Sequence, residues 1–228
     1  MNSPKKKNVS MRRQPKQKRS QKRVDRILDA AAEVFDEVGY EAATTHAIAT
    51  RADTAIGSLY QFFPDKLAIF HALELRHVER VHAVWAKLNQ PEIIQLPFET
   101  FIRTLAGTYQ KLFEQPTSRM VFVQYFTSRV IFQNIDDSFT EEAINFMAKL
   151  LQGRNPNLSH EQSHLLAEVC THACNTLLLH ALRSDEAHRQ QIFEQMEAML
   201  LAYLQPHVGD ERLHKEVMNV MKCPHCDS

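Results

Sequence analysis

The chain has 228 residues, 44% of them apolar, with 27 basic and 27 acidic side chains. That length fits one or two domains with real cores, and five glycines with scarce strand signals point to an all-α chain. No run reaches the ~18 apolar residues of a membrane-spanning helix, and four cysteines do not make a disulfide scaffold.

A net charge of zero says little about nucleic acid, but its distribution says more. Residues 1–23 hold ten Lys or Arg and no acid, which leaves 17 basic against 27 acidic residues in the rest. This segment is too charged to pack and reads as a basic disordered arm that can follow DNA phosphates, releasing counterions. It has the charge of a signal peptide but no apolar segment behind it, so a cytoplasmic protein is expected.

From about Val24, the residues Ile27, Ala31, Val34, Phe35 and Val38 recur at helical spacing and predict a helix. Gly39 is its expected C-cap, with Tyr40 packing over the end. Thr44 then suits the N-cap of a second helix ending near Ala52. Asp53 sits at a sharp turn and tolerates the left-handed conformation. A third helix is expected from about Ala55 to Phe62, with Leu59 and Phe63 facing inward. Gly57 and Ser58 keep its outer side slim enough to lie against a DNA groove. Asp65 favours the positive end of a fourth helix, in which Leu67, Phe70, Leu73, Leu75 and Val78 run on to Trp85 or beyond.

Gly39-Tyr40, Ile48-Ala49, Gly57-x-Leu59-Tyr60, Phe63 and Lys66 stand in this order between residues 24 and 80. This string resembles the DNA-binding region of the TetR family of bacterial transcriptional regulators. The chain departs from the family's usual Gly-Val-Ser turn, carrying Asp53-Thr54-Ala55 instead, and Ala55 cannot cap the third helix. The resemblance implies that residues 24–80 form a helix-turn-helix domain, with the motif itself at 44–63, that binds a double-stranded operator. Thr44, Tyr60 and Lys66 would meet backbone phosphates. Ile56, Ser58 and Gln61 would reach base edges, Gln61 through its bidentate amide. Thr45, Thr54 and Gly57 complete the expected DNA-facing set.

Asn89 to Pro97 holds two prolines and reads as a boundary. Residues 81–206 are expected to form a ligand-binding and dimerisation domain. An amphipathic helix starts at Phe98 and ends before Pro116. Met120 to Phe132 has the local composition of a strand, but a lone strand in a helical chain lacks a partner, so a helix is expected. Ser138 to Glu141 and Ser159-x-x-Gln162 both fit capping boxes. The second opens a long helix to about Leu182, and Ser184-Asp185 opens another ending at Pro206. Such a pair can bury its spare apolar face against a second copy as a four-helix bundle, the homodimer that the resemblance also implies. Tyr109, Phe113, Phe122, Tyr125 and Phe126 are candidate walls of a pocket for a small, apolar inducer.

Residues 207–228 read as a tail. Its Cys223-Pro-His-Cys226 has spacing for a metal or redox pair but lacks two further ligands, so no metal is assigned. Cys170 and Cys174, like His160 and His164, lie four apart on a helix, where core packing is the simpler reading. His172 and His180 read as interface or pocket residues. No nucleophile elbow, P-loop or dinucleotide fingerprint occurs, so no catalytic residue and no cofactor are expected. The sequence therefore reads as a homodimeric regulator, a repressor released by its ligand, with a thiol- or metal-sensing regulator as the alternative.

Overall fold

The structure, a computed structural model, describes residues 18–127 and 136–210. Among the described residues there are ten α-helices and no strand: α1 (Lys18–Ala42), α2 (Thr45–Arg51), α3 (Ile56–Phe62), α4 (Lys66–Leu88), α5 (Pro91–Ile94), α6 (Phe98–Glu114), α7 (Pro116–Thr127), α8 (Asp136–Arg154), α9 (His160–Leu182) and α10 (Glu186–Val208). The chain divides into two compact units. Among the described residues, the first takes 18–82 with 112–127, the second 83–111 with 136–210. Helices α4 and α6 therefore contribute to both. The Cys223–Cys226 motif and Phe132 lie outside the described residues.

In the first unit α1 presents Ile27, Leu28, Ala31, Val34 and Phe35 to the core, all at most 5% exposed. It is already helical at Lys18, so residues 18–23, expected within the disordered arm, are helical. Lys, Arg and Gln favour helix, and Gln21 bonds Asp25 one turn on. Gly39 has φ 78° and ψ 162°, which breaks the helix there before a final turn to Ala42. A Cβ on Gly39 would meet nothing within 4 Å, so glycine is needed for its backbone angle and not for space. Tyr40 then folds its ring onto Phe35 and Phe70, at centroid distances of 5.5 and 5.3 Å. Burial pushes the Tyr40 phenol up to about 12.

Three arginines grip the acidic ridge of α1. Arg76 of α4 pairs with Asp25 and Asp29, Arg51 of α2 with Glu33 and Glu37, and Arg119 of α7 with Asp36. Partly exposed pairs contribute only ~0–1 kcal/mol each, so their effect is to orient helices. Two of the apolar residues from which these helices were read face outward: Val38 is 52% and Leu75 67% exposed. Leu75 is five residues from Phe70 and two from Leu73, which at 100° per residue puts it opposite the buried face of α4.

The core of the second unit joins Leu88 to Phe98, Phe101 and Ile102 of α6, Leu150 and Leu151 of α8, Leu166 of α9, and Leu200 and Leu204 of α10. The segment expected as a boundary holds the one-turn α5, with Pro91 in its first turn. α8 starts at Asp136, so Ser138 lies inside it and not at its cap. The Ser159–Gln162 capping box is present in both directions. α10 does not stop at Pro206 but runs through it to Val208. A proline in the last turn removes only one backbone donor. α9 is apolar and long enough to span a bilayer, with a mean hydropathy of 1.3 over 18 residues, but here it packs against α8 and α10. Burial pushes the Cys170 thiol up to about 12 and the Cys174 thiol up to about 11, so both stay protonated and behave as small hydrophobes.

Arg154 ties this unit together from inside. Its side chain is 6% exposed, and its guanidinium donates to the carbonyls of Ile94 (2.6 Å), Leu96 (2.8 Å) and Val208 (3.3 Å). It also lies 4.8 Å from the Phe101 ring centroid. Arg154→Leu leaves those carbonyls without a donor, so a loss of about 3 kcal/mol is expected. Urea unfolding followed by circular dichroism measures it, and an unchanged midpoint would show that water replaces the guanidinium.

Candidate nucleic-acid interface

The helix-turn-helix is fixed by local chemistry. Thr44 caps α2, its Oγ1 accepting from Ala47 N at 3.1 Å. That leaves its hydroxyl proton free to donate outward. Asp53 turns the chain with φ 47°, the one positive φ among the described non-glycine residues. α3 starts at Ile56, and its N-cap, Ala55, makes no side-chain bond. The expected loss at this cap is therefore present, and Thr54 does not make it good.

α3 has two faces. Leu59 and Phe62 are buried at 0% and 4%, and Phe63 follows at 0%. Opposite them Gly57, Tyr60 and Gln61 are exposed, while Thr54, Ile56 and Ser58 are half-buried beside them. A Cβ on Gly57 would meet nothing within 4 Å. Nothing inside the protein therefore requires glycine there.

The hydroxyls of Thr45 and Tyr60 lie 2.9 Å apart. Whichever donates to the other, one hydroxyl proton of the pair is left over for a further acceptor such as a phosphate oxygen. Thr44, Thr45 and Tyr60 thus line one edge of the motif, with Gln61 beside them. Lys66 does not join them. Its ammonium donates to the carbonyls of Tyr40, Glu41 and Ala43 at 2.6, 3.0 and 3.0 Å. Three protons thus meet three acceptors within the protein.

Sequence reasoning missed the start of α1. Lys18, Arg19, Lys22 and Arg26 are exposed on its first turns, and a surface hollow there is lined by Arg19, Lys22, Arg23, Asp25, Arg26 and Asp29. The composition of the arm signalled the charge, and the absence of any break between residues 18 and 24 could have signalled the helix.

The five aromatic pocket candidates fall into two groups. Phe113, Phe122, Tyr125 and Phe126 lie in the first unit and form a run of ring contacts, Phe113–Phe122 at 5.0 Å, Phe122–Phe126 at 4.7 Å and Tyr125–Phe126 at 5.7 Å. Tyr109 lies in the second unit, where its hydroxyl accepts from Trp85 Nε1 at 2.8 Å. Burial pushes the Tyr109 phenol up to about 12. Trp85 in turn stacks on Phe146 at 4.9 Å and Phe139 at 5.7 Å. No sequence signal joins Trp85 to Phe146, because 61 positions separate them.

Gly57→Ala gives the sharpest test of this face. Alanine favours a helix interior over glycine by ~1 kcal/mol, and the new methyl finds open space. The variant is expected to be as stable as the wild type or more so, yet to bind a specific duplex at least tenfold more weakly. Thermal unfolding and fluorescence anisotropy measure the two, and unimpaired binding would remove α3's slim face from the interface.

Comparison with known proteins accords with this geometry. The model described as "Bacterial regulatory proteins, tetR family" matches residues 27–73, and that described as "Tetracyclin repressor-like, C-terminal domain" matches residues 97–204. The HTH-type transcriptional repressor KstR of Mycolicibacterium smegmatis is 43% identical over 58 residues, 25% of this chain and 28% of that protein. KstR of Rhodococcus jostii is 43% identical over 56 residues, 25% and 26% of the two chains. The match thus spans about a quarter of these relatives' length. A transcriptional regulator from Aquifex aeolicus has the same fold, with a TM-score of 0.60 at 20% identity over 78% of this chain and 97% of that one. So does a putative TetR-family regulator from Mesorhizobium loti, with 0.62 at 16% identity over 82% and 98%. With both family models matched in chain order and the helix-turn-helix in place, the chain belongs to the TetR family of bacterial transcriptional regulators.

Proposed function

We propose that the chain is a cytoplasmic, homodimeric transcriptional repressor that leaves its operator when a small apolar ligand binds. The observation that carries DNA reading is the exposed, slim face of α3, flanked by the Thr44, Thr45 and Tyr60 hydroxyls. Phosphate oxygens suit the hydroxyls, and base edges suit Ser58 and Gln61. Repression itself is carried over from the KstR proteins, whose similarity lies in this region.

Two adjacent helices support the dimer. Leu165 is 60% and Val169 43% exposed on α9, and Tyr203 is 37% exposed on α10. His172, Thr176 and His180 continue the exposed face of α9 at helical spacing. A second copy would cover this face in a four-helix arrangement, and two α3 helices about 34–36 Å apart could then enter successive major grooves. The ligand would favour a different spacing. An apolar ligand suits the aromatic groups, Trp85, Tyr109 and Phe146 in the second unit or Phe113, Phe122, Tyr125 and Phe126 in the first.

Selection of duplexes from a random pool, followed by sequencing, tests specific binding; recovery of no shared sequence would contradict it. For the dimer, Leu165→Glu is expected to turn a sedimenting dimer into a monomer. It should also weaken the selected duplex at least tenfold, because two half-sites are no longer held together. A variant that still sediments as a dimer would place the interface elsewhere.

A further inference from the structure

We propose that Lys66 is a positioning residue for DNA reading, which holds the helix-turn-helix in register through α1 and does not itself meet a phosphate. The inference rests on the proposed role of α3 as the reading helix. A helix leaves its last carbonyls without backbone partners, and past the break at Gly39 those of Tyr40, Glu41 and Ala43 converge on one point. There the Lys66 ammonium donates all three of its protons, to the carbonyls of Tyr40, Glu41 and Ala43, all within 3.0 Å. It also lies 4.5 Å from the centroid of the Tyr40 ring, close enough for a cation–π attraction.

The three anchored points matter by their place in the chain. Tyr40 belongs to the core triad with Phe35 and Phe70. Ala43 immediately precedes Thr44, the N-cap of α2. Lys66 is itself the first residue of α4, whose start Asp65 caps through Ala68 N at 2.8 Å. One cation thus joins the end of α1, the start of α2 and the start of α4, which bracket the motif on both sides. Base reading needs its side chains placed within about 0.5 Å, so slack at this junction moves the whole edge carrying Ser58, Tyr60 and Gln61.

Arginine separates the two roles. A planar guanidinium binds a phosphate as well as an ammonium does or better, but its fork cannot converge on three carbonyls around a single nitrogen. Lys66→Arg and Lys66→Met are therefore both expected to lower the ratio of selected-duplex to random-duplex affinity at least tenfold. On a random 30-base-pair duplex (the probe for phosphate contacts alone) both should keep the wild-type slope of log K against log salt. A phosphate contact gives the opposite pattern: Met lowers the slope by about 0.9 and Arg restores both affinity and ratio, which would overturn the proposal. Should either variant be unfolded by circular dichroism, the wild type decides by nitrogen-15 NMR of the lysine ammonium groups. The Lys66 signal is expected to be protected from exchange without DNA and unmoved by the selected duplex. A signal that gains protection only with DNA overturns the proposal. Failure of the wild type to select any duplex would instead strike the DNA-reading assignment on which it rests.

Discussion

Where α1 breaks at Gly39, the open carbonyls of Tyr40, Glu41 and Ala43 meet one ammonium group, Lys66 Nζ. The first unit is arranged around that closure. The break lets Tyr40 drop its ring between Phe35 and Phe70, and it brings Thr44 to the point where α2 can begin. Along the rest of α1, Arg76, Arg51 and Arg119 hold the acidic ridge from three other helices. Each pair contributes little alone, but five ion pairs along one rod leave it little freedom to rotate. α2 and α3 are short, at seven residues each, too short to be stable helices alone. Their geometry is therefore imposed by what they pack against.

Much of this was legible in the sequence, because the signals were local. Thr44 as a cap, Asp53 in the left-handed region, Ala55 as a poor cap and the Ser159–Gln162 box each follow from a residue and its immediate neighbours. The helical state of residues 120–127 was also legible, once the want of a strand partner was weighed against propensity. The misses have a common cause. Val38 and Leu75 are apolar at plausible spacing, but what covers a helix face is decided by other helices. The carbonyl contacts of Lys66 were not legible either, because its three acceptors lie 23 to 26 residues away. The Trp85–Tyr109 bond and the Trp85–Phe146 stack are long-range in the same way.

The two units also differ from what the sequence families imply. The match to the C-terminal family model covers residues 97–204, yet residues 112–127 pack with the N-terminal helices, where α7 lies on α1 and Arg119 reaches Asp36. Helices α4 and α6 carry residues of both units.

The central claim is that DNA lies against the edge made by α2 and α3. Residue-resolved amide hydrogen exchange, with and without a duplex selected by the wild-type chain, tests it most directly. The account predicts that the duplex slows exchange across residues 44–61, and at the first turns of α1, with α9 and α10 unaffected by direct contact. Slowing confined to residues 1–26, with 44–61 unchanged, would contradict it: the basic segment would then bind DNA by charge alone, and α3 would not be a reading helix.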